Sequence, residues 1–253
     1  MSVTTSVALA FAALCVLTMP VYALVSRGRP LDADVAARPK TALLGYWIRD
    51  WLMWVIGPLE RALVRVNASP DLFNFLGVAF GAAAGVAYAR RSFALGGWLV
   101  LLGGLADVFD GRIARARGVV SRRGEFLDSM LDRYAETFTF IGLALYFQRT
   151  TWAMLATLSA LGGSLLVSYA RAKGQAVGVT FRGGIMQRAE RLVLLAIASL
   201  LDGAIAAALG TPPGAIVFGA VAIIGLGAFS TAMYRTAQIA KALGGQGSEE
   251  RRG

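Results

Sequence analysis

The chain contains no histidine and a single cysteine, Cys15. Without imidazole, acid–base work falls to carboxylates, lysine or tyrosine, and the usual nitrogen and sulfur ligands of zinc are missing. One cysteine also excludes an intrachain disulfide and a Cys-cluster metal site. Charge is scarce too: 16% of the 253 residues are charged, where a soluble domain carries about 25%. Apolar residues take its place, at 57%. Several windows reach the roughly 20 residues that span a bilayer. They are continuous and rich in Gly, Ala and Leu rather than alternating, which fits helices and not barrel strands. The fold expected is an all-α, polytopic membrane helical bundle.

The charge that remains is unbalanced, with 25 Lys and Arg against 15 Asp and Glu, a net of +10. No aromatic-interleaved basic stripe accompanies it, so nucleic acid is not expected as a partner. Cytoplasmic loops collect Lys and Arg, and a site for phosphorylated substrates needs cations. Ser6 to Val25 is the first apolar segment, and no Lys or Arg precedes it. It therefore reads as an uncleaved N-terminal transmembrane helix (1–25) rather than a signal peptide. Residues 26–42 form a polar linker. Tyr46 to Val66 holds three tryptophans and five charges, the pattern of an amphipathic helix lying in the membrane interface. Linker and interfacial helix together make 26–66.

The membrane domain follows at 67–243, with spans at about Pro70–Arg90, Ala94–Asp107, Phe126–Phe147, Trp152–Ala172, Leu192–Leu209 and from Thr211 onward. The Gly-rich tail, 244–253, is expected to be disordered. Basic residues concentrate at 26–66, 112–123 and 171–191, while the loops near 148–151 and 202–213 carry only Arg149 and Asp202. The basic segments are therefore placed in the cytoplasm.

Asp107 and Asp110 are three apart and share a helix face; Asp128 and Asp132 are four apart and share another. The connection between the pairs is basic. Two consecutive antiparallel helices bring all four carboxylates to the cytoplasmic end of the bundle. Carboxylates gathered in a desolvated place repel, and either take protons or bring in a cation. Oxygen ligands alone point to a hard divalent ion, Mg²⁺ or Mn²⁺. Gly111 and Gly124 leave room beside the acids, and Arg115 can pair with phosphate oxygens. Ionisable groups inside a membrane domain are functional candidates.

The stretch "DVFDGRIARARGVVSRRGEFLDSMLD" (Asp107 to Asp132) resembles the signature of the CDP-alcohol phosphotransferases, D-x2-D-G-x2-A-R-x8-G-x3-D-x3-D. Asp107, Asp110, Gly111, Ala114, Arg115, Gly124, Asp128 and Asp132 fill all eight fixed positions. The resemblance extends from about Tyr46 to Tyr234, although Asp71 and Asn74 stand where the family more often has Asn and Thr. It implies six transmembrane helices preceded by an interfacial helix, which makes the span at 1–25 additional. It implies an enzyme that transfers a substituted phosphate from a CDP-linked lipid donor to an alcohol and releases CMP. By position, Asp107, Asp110, Asp128 and Asp132 would serve a di-metal centre, with Asp128 bridging the ions and Asp132 as the base that takes the acceptor hydroxyl's proton. Gly111, Ala114, Arg115 and Gly124 would line the CDP-donor site. The family also implies a homodimer among membrane lipids, in a bacterial or archaeal cytoplasmic membrane with the active site on the cytoplasmic side.

A second stretch concerns the acceptor. Arg171, Arg188 and Arg191 lie in a cationic segment, and Arg188 and Arg191 are three apart at a helix start, able to grip one phosphate from one face. Ser168, Tyr169, Arg171 and Ala172, then Gly184, Ile185, Arg188, Glu190 and Arg191, resemble the inositol-phosphate branch of the family. A small phosphorylated polyol is thus the acceptor expected, inositol phosphate ahead of glycerol 3-phosphate. Serine would leave the arginines unpaired. An ion-coupled transporter is the reading from another class, but no inverted repeat or pair of broken helices supports it; a non-catalytic membrane scaffold would have no use for an intact set of acids.

Overall fold

The structure is a computed structural model and describes residues 15, 17–36 and 45–250. Every regular element among the described residues is helical. The helices are α1, described over 17–25, then α2 (Ala33–Ala36), α3 (Tyr46–Arg65), α4 (Pro70–Ala89), α5 (Phe93–Ala116), α6 (Arg122–Phe147), α7 (Thr151–Ala176), α8 (Arg188–Leu209) and α9 (Ala215–Glu250). Their ends follow local chemistry. Pro70 opens α4 behind Ser69, where its missing N–H costs nothing. The Ser121 hydroxyl accepts the Gly124 N–H at 3.1 Å and caps α6. Gly210, at φ 65°, ends α8 in the left-handed conformation that glycine adopts freely.

Among the described residues, five helices (α4, α5, α7, α8 and α9) are long and apolar enough to cross a membrane. α6 is the expected span that falls outside that set. It has 26 residues, but charges at Arg122, Arg123, Glu125, Asp128, Asp132, Arg133 and Glu136 fill its first half. α6 packs between α4 and α7, and α5 and α9 flank α8. Small residues set these approaches. A Cβ on Gly85 would strike the Phe138 carbonyl, and one on Gly142 would strike the Gly85 backbone. At Gly163 it would meet Ala228 at 2.9 Å, and at Gly97 it would meet Ser199 at 2.9 Å. Close backbones are how helices associate in lipid, which offers no hydrophobic drive between them. Leu143, Leu195, Val217, Val221 and Ile224 fill the middle.

α3 lies across the basic end of α5. Its buried Ile56 joins Phe109 and Ile113 of α5 in a second small core, while Trp47, Ile48, Leu52 and Leu59 stay exposed. That division fits an interfacial helix. The N-terminal span expected at 1–25 lies mostly outside the described residues. Its described end docks on α3: the buried Tyr22 donates a hydrogen bond to the Asp50 carboxylate, and its ring packs on Trp47 and Trp54 at 5.4 and 5.8 Å.

Two expectations need correction. The segment 26–36 is not a plain linker, because Asp32 and Asp34 tie it to α5; residues 37–44 lie outside the described residues. Residues 244–250 of the tail expected to be disordered instead continue α9 to Glu250, and 251–253 lie outside the described residues. A propagating helix gains one hydrogen bond per residue, so glycines weaken its end without forbidding it.

Candidate active site

The last turns of α5 and the first turns of α6 run antiparallel beside α4. Helical spacing puts Asp107 and Asp110 of α5, and Asp128 of α6, on facing sides. Each offers a carboxylate oxygen, and these oxygens lie within 4.8 Å of one another. Asp110 is only 6% exposed, and Oδ1 of Asp128 is buried without a hydrogen-bond partner. Three acids this close, one with an orphaned oxygen, fit a hard divalent cation held by oxygen ligands.

Asp132, expected as a fourth ligand, stands one turn further along α6 and outside that trio. Arg188 of α8 engages it, with one guanidinium nitrogen 2.6 Å from Asp132 and another 2.8 Å from Asp107. Arg133 lies 3.6 Å from the other Asp132 oxygen and donates to the Ser168 hydroxyl of α7 at 2.9 Å. Asp107, Asp110 and Asp132 open into a narrow cleft walled by Phe73, Asn74 and Gly77 of α4.

Behind this layer lies another charged pair. Arg191 donates to both Glu136 oxygens at 2.8 and 3.1 Å. Their side chains are 2% and 5% exposed. Since Glu136 follows Asp132 by four residues and Arg191 follows Arg188 by three, two consecutive charged rungs join α6 to α8. Arg191, expected to grip acceptor phosphate beside Arg188, thus points inward to a buried carboxylate. Arg171 sits exposed near the end of α7. Sequence reasoning missed Glu136, although its position one turn beyond Asp132 on the same face was a usable signal.

On the donor side, Arg115 folds back over Gly111, 3.1 Å from where a Cβ would stand. Ala114 is half-buried on the same turn, and Gly124 lies at the α6 cap. Arg115 also donates to Asp34 at 2.7 Å. Its neighbour Arg112, not singled out from sequence, reaches the Asp32 oxygens at 3.1 and 3.1 Å and Glu60 at 2.6 Å. Burial works to raise the Asp32 pKa, but the Arg112 hydrogen bonds and charge outweigh it and hold the carboxyl below its usual value.

A family model for CDP-alcohol phosphatidyltransferases matches residues 67–234. The chain belongs to the CDP-alcohol phosphatidyltransferase family. It is 34% identical over 184 residues to the phosphatidylinositol phosphate synthase of Streptomyces avermitilis, covering 70% of this chain and 73% of that protein. It is 34% identical to the archaetidylinositol phosphate synthase of Pyrococcus horikoshii, covering 57% of this chain and 78% of that protein. The crystal structure of Mycobacterium tuberculosis phosphatidylinositol phosphate synthase with CDP-DAG bound superposes with a TM-score of 0.63 at 26% identity, covering 72% of this chain and 92% of that one. The same enzyme in complex with manganese and citrate gives 0.63 over 72% of this chain and 87% of that one. As a member of this metal-dependent family, the chain is an integral membrane enzyme that transfers substituted phosphate groups.

Proposed function

We propose that this phosphatidyltransferase moves the phosphatidyl group of a CDP-diacylglycerol-type lipid to a hydroxyl of an inositol phosphate, releasing CMP. The observation that carries this reading is the carboxylate trio of Asp107, Asp110 and Asp128 with Asp132 one turn away. Asp107, Asp110 and Asp128 would hold divalent metal, Mg²⁺ or Mn²⁺, as two ions. Bound there, metal offsets the charge of the donor diphosphate during transfer. Arg115 pairs with the diphosphate, and Gly111, Ala114 and Gly124 leave space for the nucleotide to approach the backbone. Asp132 accepts the proton of the attacking hydroxyl. The new bond joins that oxygen to the lipid-side phosphorus; the bond to the bridging diphosphate oxygen breaks, and its electrons leave with CMP.

Arg188, already among the carboxylates, and Arg171 supply positive charge for the acceptor's phosphate. Arg191 stands behind Arg188, fixed by Glu136. We read the site as cytoplasmic, where nucleotide and polyol phosphate are dissolved; the Lys- and Arg-rich ends of the helices support that reading. The likeness to inositol phosphate-type synthases supports that acceptor over glycerol 3-phosphate.

The test is CMP release by the purified protein in detergent with Mn²⁺ or Mg²⁺, CDP-diacylglycerol and either acceptor. Turnover is expected with inositol phosphate and metal, and none after chelation. Turnover with glycerol 3-phosphate alone would move the acceptor assignment. No release with any acceptor would overturn the reading.

A further inference from the structure

The two arginines at the end of α5 face acids that lie outside the region matched to the family. Asp32, Asp34, Asp50 and Glu60 all precede residue 67. Two contacts with different characters result. At Arg112 the contact is an anchor. Asp32 takes two of its N–H groups, Glu60 takes Nε, and the Asp32 backbone N–H is itself fixed by Asp50 at 2.6 Å. The Arg112 side chain is 14% exposed. Val35, buried next to Asp34, pins the segment further.

At Arg115 the contact is single and open. One guanidinium nitrogen meets Asp34 at 2.7 Å, with side chains 46% and 29% exposed. Asp34 also touches Arg112, at 3.3 Å. Arg115 lies over Gly111, the residue after Asp110. A carboxylate and a phosphate oxygen both accept from guanidinium N–H groups, so Asp34 takes donors that a nucleoside diphosphate could use.

We propose that Asp34 is a built-in competitor for the donor's diphosphate: it occupies Arg115 in the unliganded enzyme and yields it when donor binds, so that it sets donor affinity. Asp32 and Arg112 stay paired and keep Asp34 within reach, which makes the exchange local. The proposal rests on Arg115 being a donor contact, as read above. An exposed pair of this kind is weak, so the competition is expected to be modest and to lower affinity without preventing binding.

The test is titration calorimetry of CDP into the detergent-solubilised full chain with Mn²⁺ at low salt, for the wild type, Asp34→Ala, Arg115→Ala and the double variant. Asp34→Ala is expected to tighten CDP binding about two- to fivefold. The gain should vanish when Arg115 is also Ala. Unchanged or weaker binding by Asp34→Ala, with its melting temperature kept, would overturn the proposal while the donor site stands. Equal tightening in the Arg115→Ala background would show that Asp34 acts through another group, and would overturn it too. If neither wild type nor Asp34→Ala binds CDP, the donor reading itself falls and takes this proposal with it.

Discussion

Asp128 and Asp202 are both acids within the helical bundle, and the protein treats them in opposite ways. Asp202 lies on α8, some fourteen residues past Arg188, or roughly 21 Å along the helix. It is 1% exposed, and it accepts hydrogen bonds from the backbone N–H groups of Gly214, Ile216 and Val217 at 2.7, 3.1 and 3.3 Å. Those are orphan donors at the start of α9, so Asp202 caps a neighbouring helix. Asp128 has an equally buried oxygen with no donor at all, beside two more acids. Burial alone therefore separates nothing. The difference lies in satisfaction: one end of the bundle completes its carboxylate from within the fold, while at the other Arg188 holds Asp107 and Asp132 and an oxygen of Asp128 is left without a donor.

Removing an acid at the open end should have the largest effect. Asp128→Asn is expected to lower CMP release by more than about 100-fold, since losing even a residue behind a metal ligand costs 10–100-fold. Mn²⁺ binding only the folded state is expected to raise the melting temperature of the wild type, and Asp128→Asn should abolish that rise. Retained Mn²⁺ stabilisation in Asp128→Asn would remove it from the ligand set and erase the contrast with Asp202.

Between the two ends sits Glu136, a buried acid satisfied by charge. Glu136→Gln leaves Arg191 buried and ionised, and is expected to destabilise the protein by about 3–5 kcal/mol. Glu136→Leu combined with Arg191→Met should recover most of that, read as melting temperature in detergent. If the single variant melted like the wild type, the pair would not brace α6 against α8, and Glu136 would belong with the open carboxylates instead.

How much of this was legible in the sequence depended on distance along the chain. Asp107, Asp110, Asp128 and Asp132 sit at helical spacings on consecutive helices, so periodicity alone pointed to the trio, although it did not separate Asp132 from it. The family resemblance then supplied roles that spacing cannot. The helix at Tyr46–Arg65 was legible from its tryptophans and charges. Arg191 was not: three-residue spacing from Arg188 gives a shared face, but it does not reveal that Glu136, 55 residues earlier, waits across the gap. Asp32 and Asp34 were hidden for a similar reason. A polar segment rich in turn-forming residues looks solvated until Arg112, 80 residues on, is seen to fold against it. Asp202 looked like the lone charge of an outer loop, because its partners are backbone N–H groups, which no side-chain pattern encodes.

The smallest effect, and the sharpest check on the comparison, is expected at Asp202. Asp202→Ala removes three acceptor contacts and leaves the first N–H groups of α9 partly unpaired. Each hydrogen bond is worth little net, but each buried donor left without a partner costs about 1–3 kcal/mol. Pro212 and Pro213 beside the α9 start are exposed, so water entering the space left by the carboxylate can take up its N–H groups, and a total of about 1–2 kcal/mol is expected. Because Asp202 is remote from Asp107, Asp128 and Arg188, kcat for CMP release per folded molecule should not change. The paired readout decides the matter. A lower melting temperature with unchanged kcat makes Asp202 a cap. An unchanged melting temperature with impaired kcat would mean that a satisfied carboxylate at the far end serves the reaction, and hydrogen-bond satisfaction would no longer distinguish structural from functional acids in this bundle.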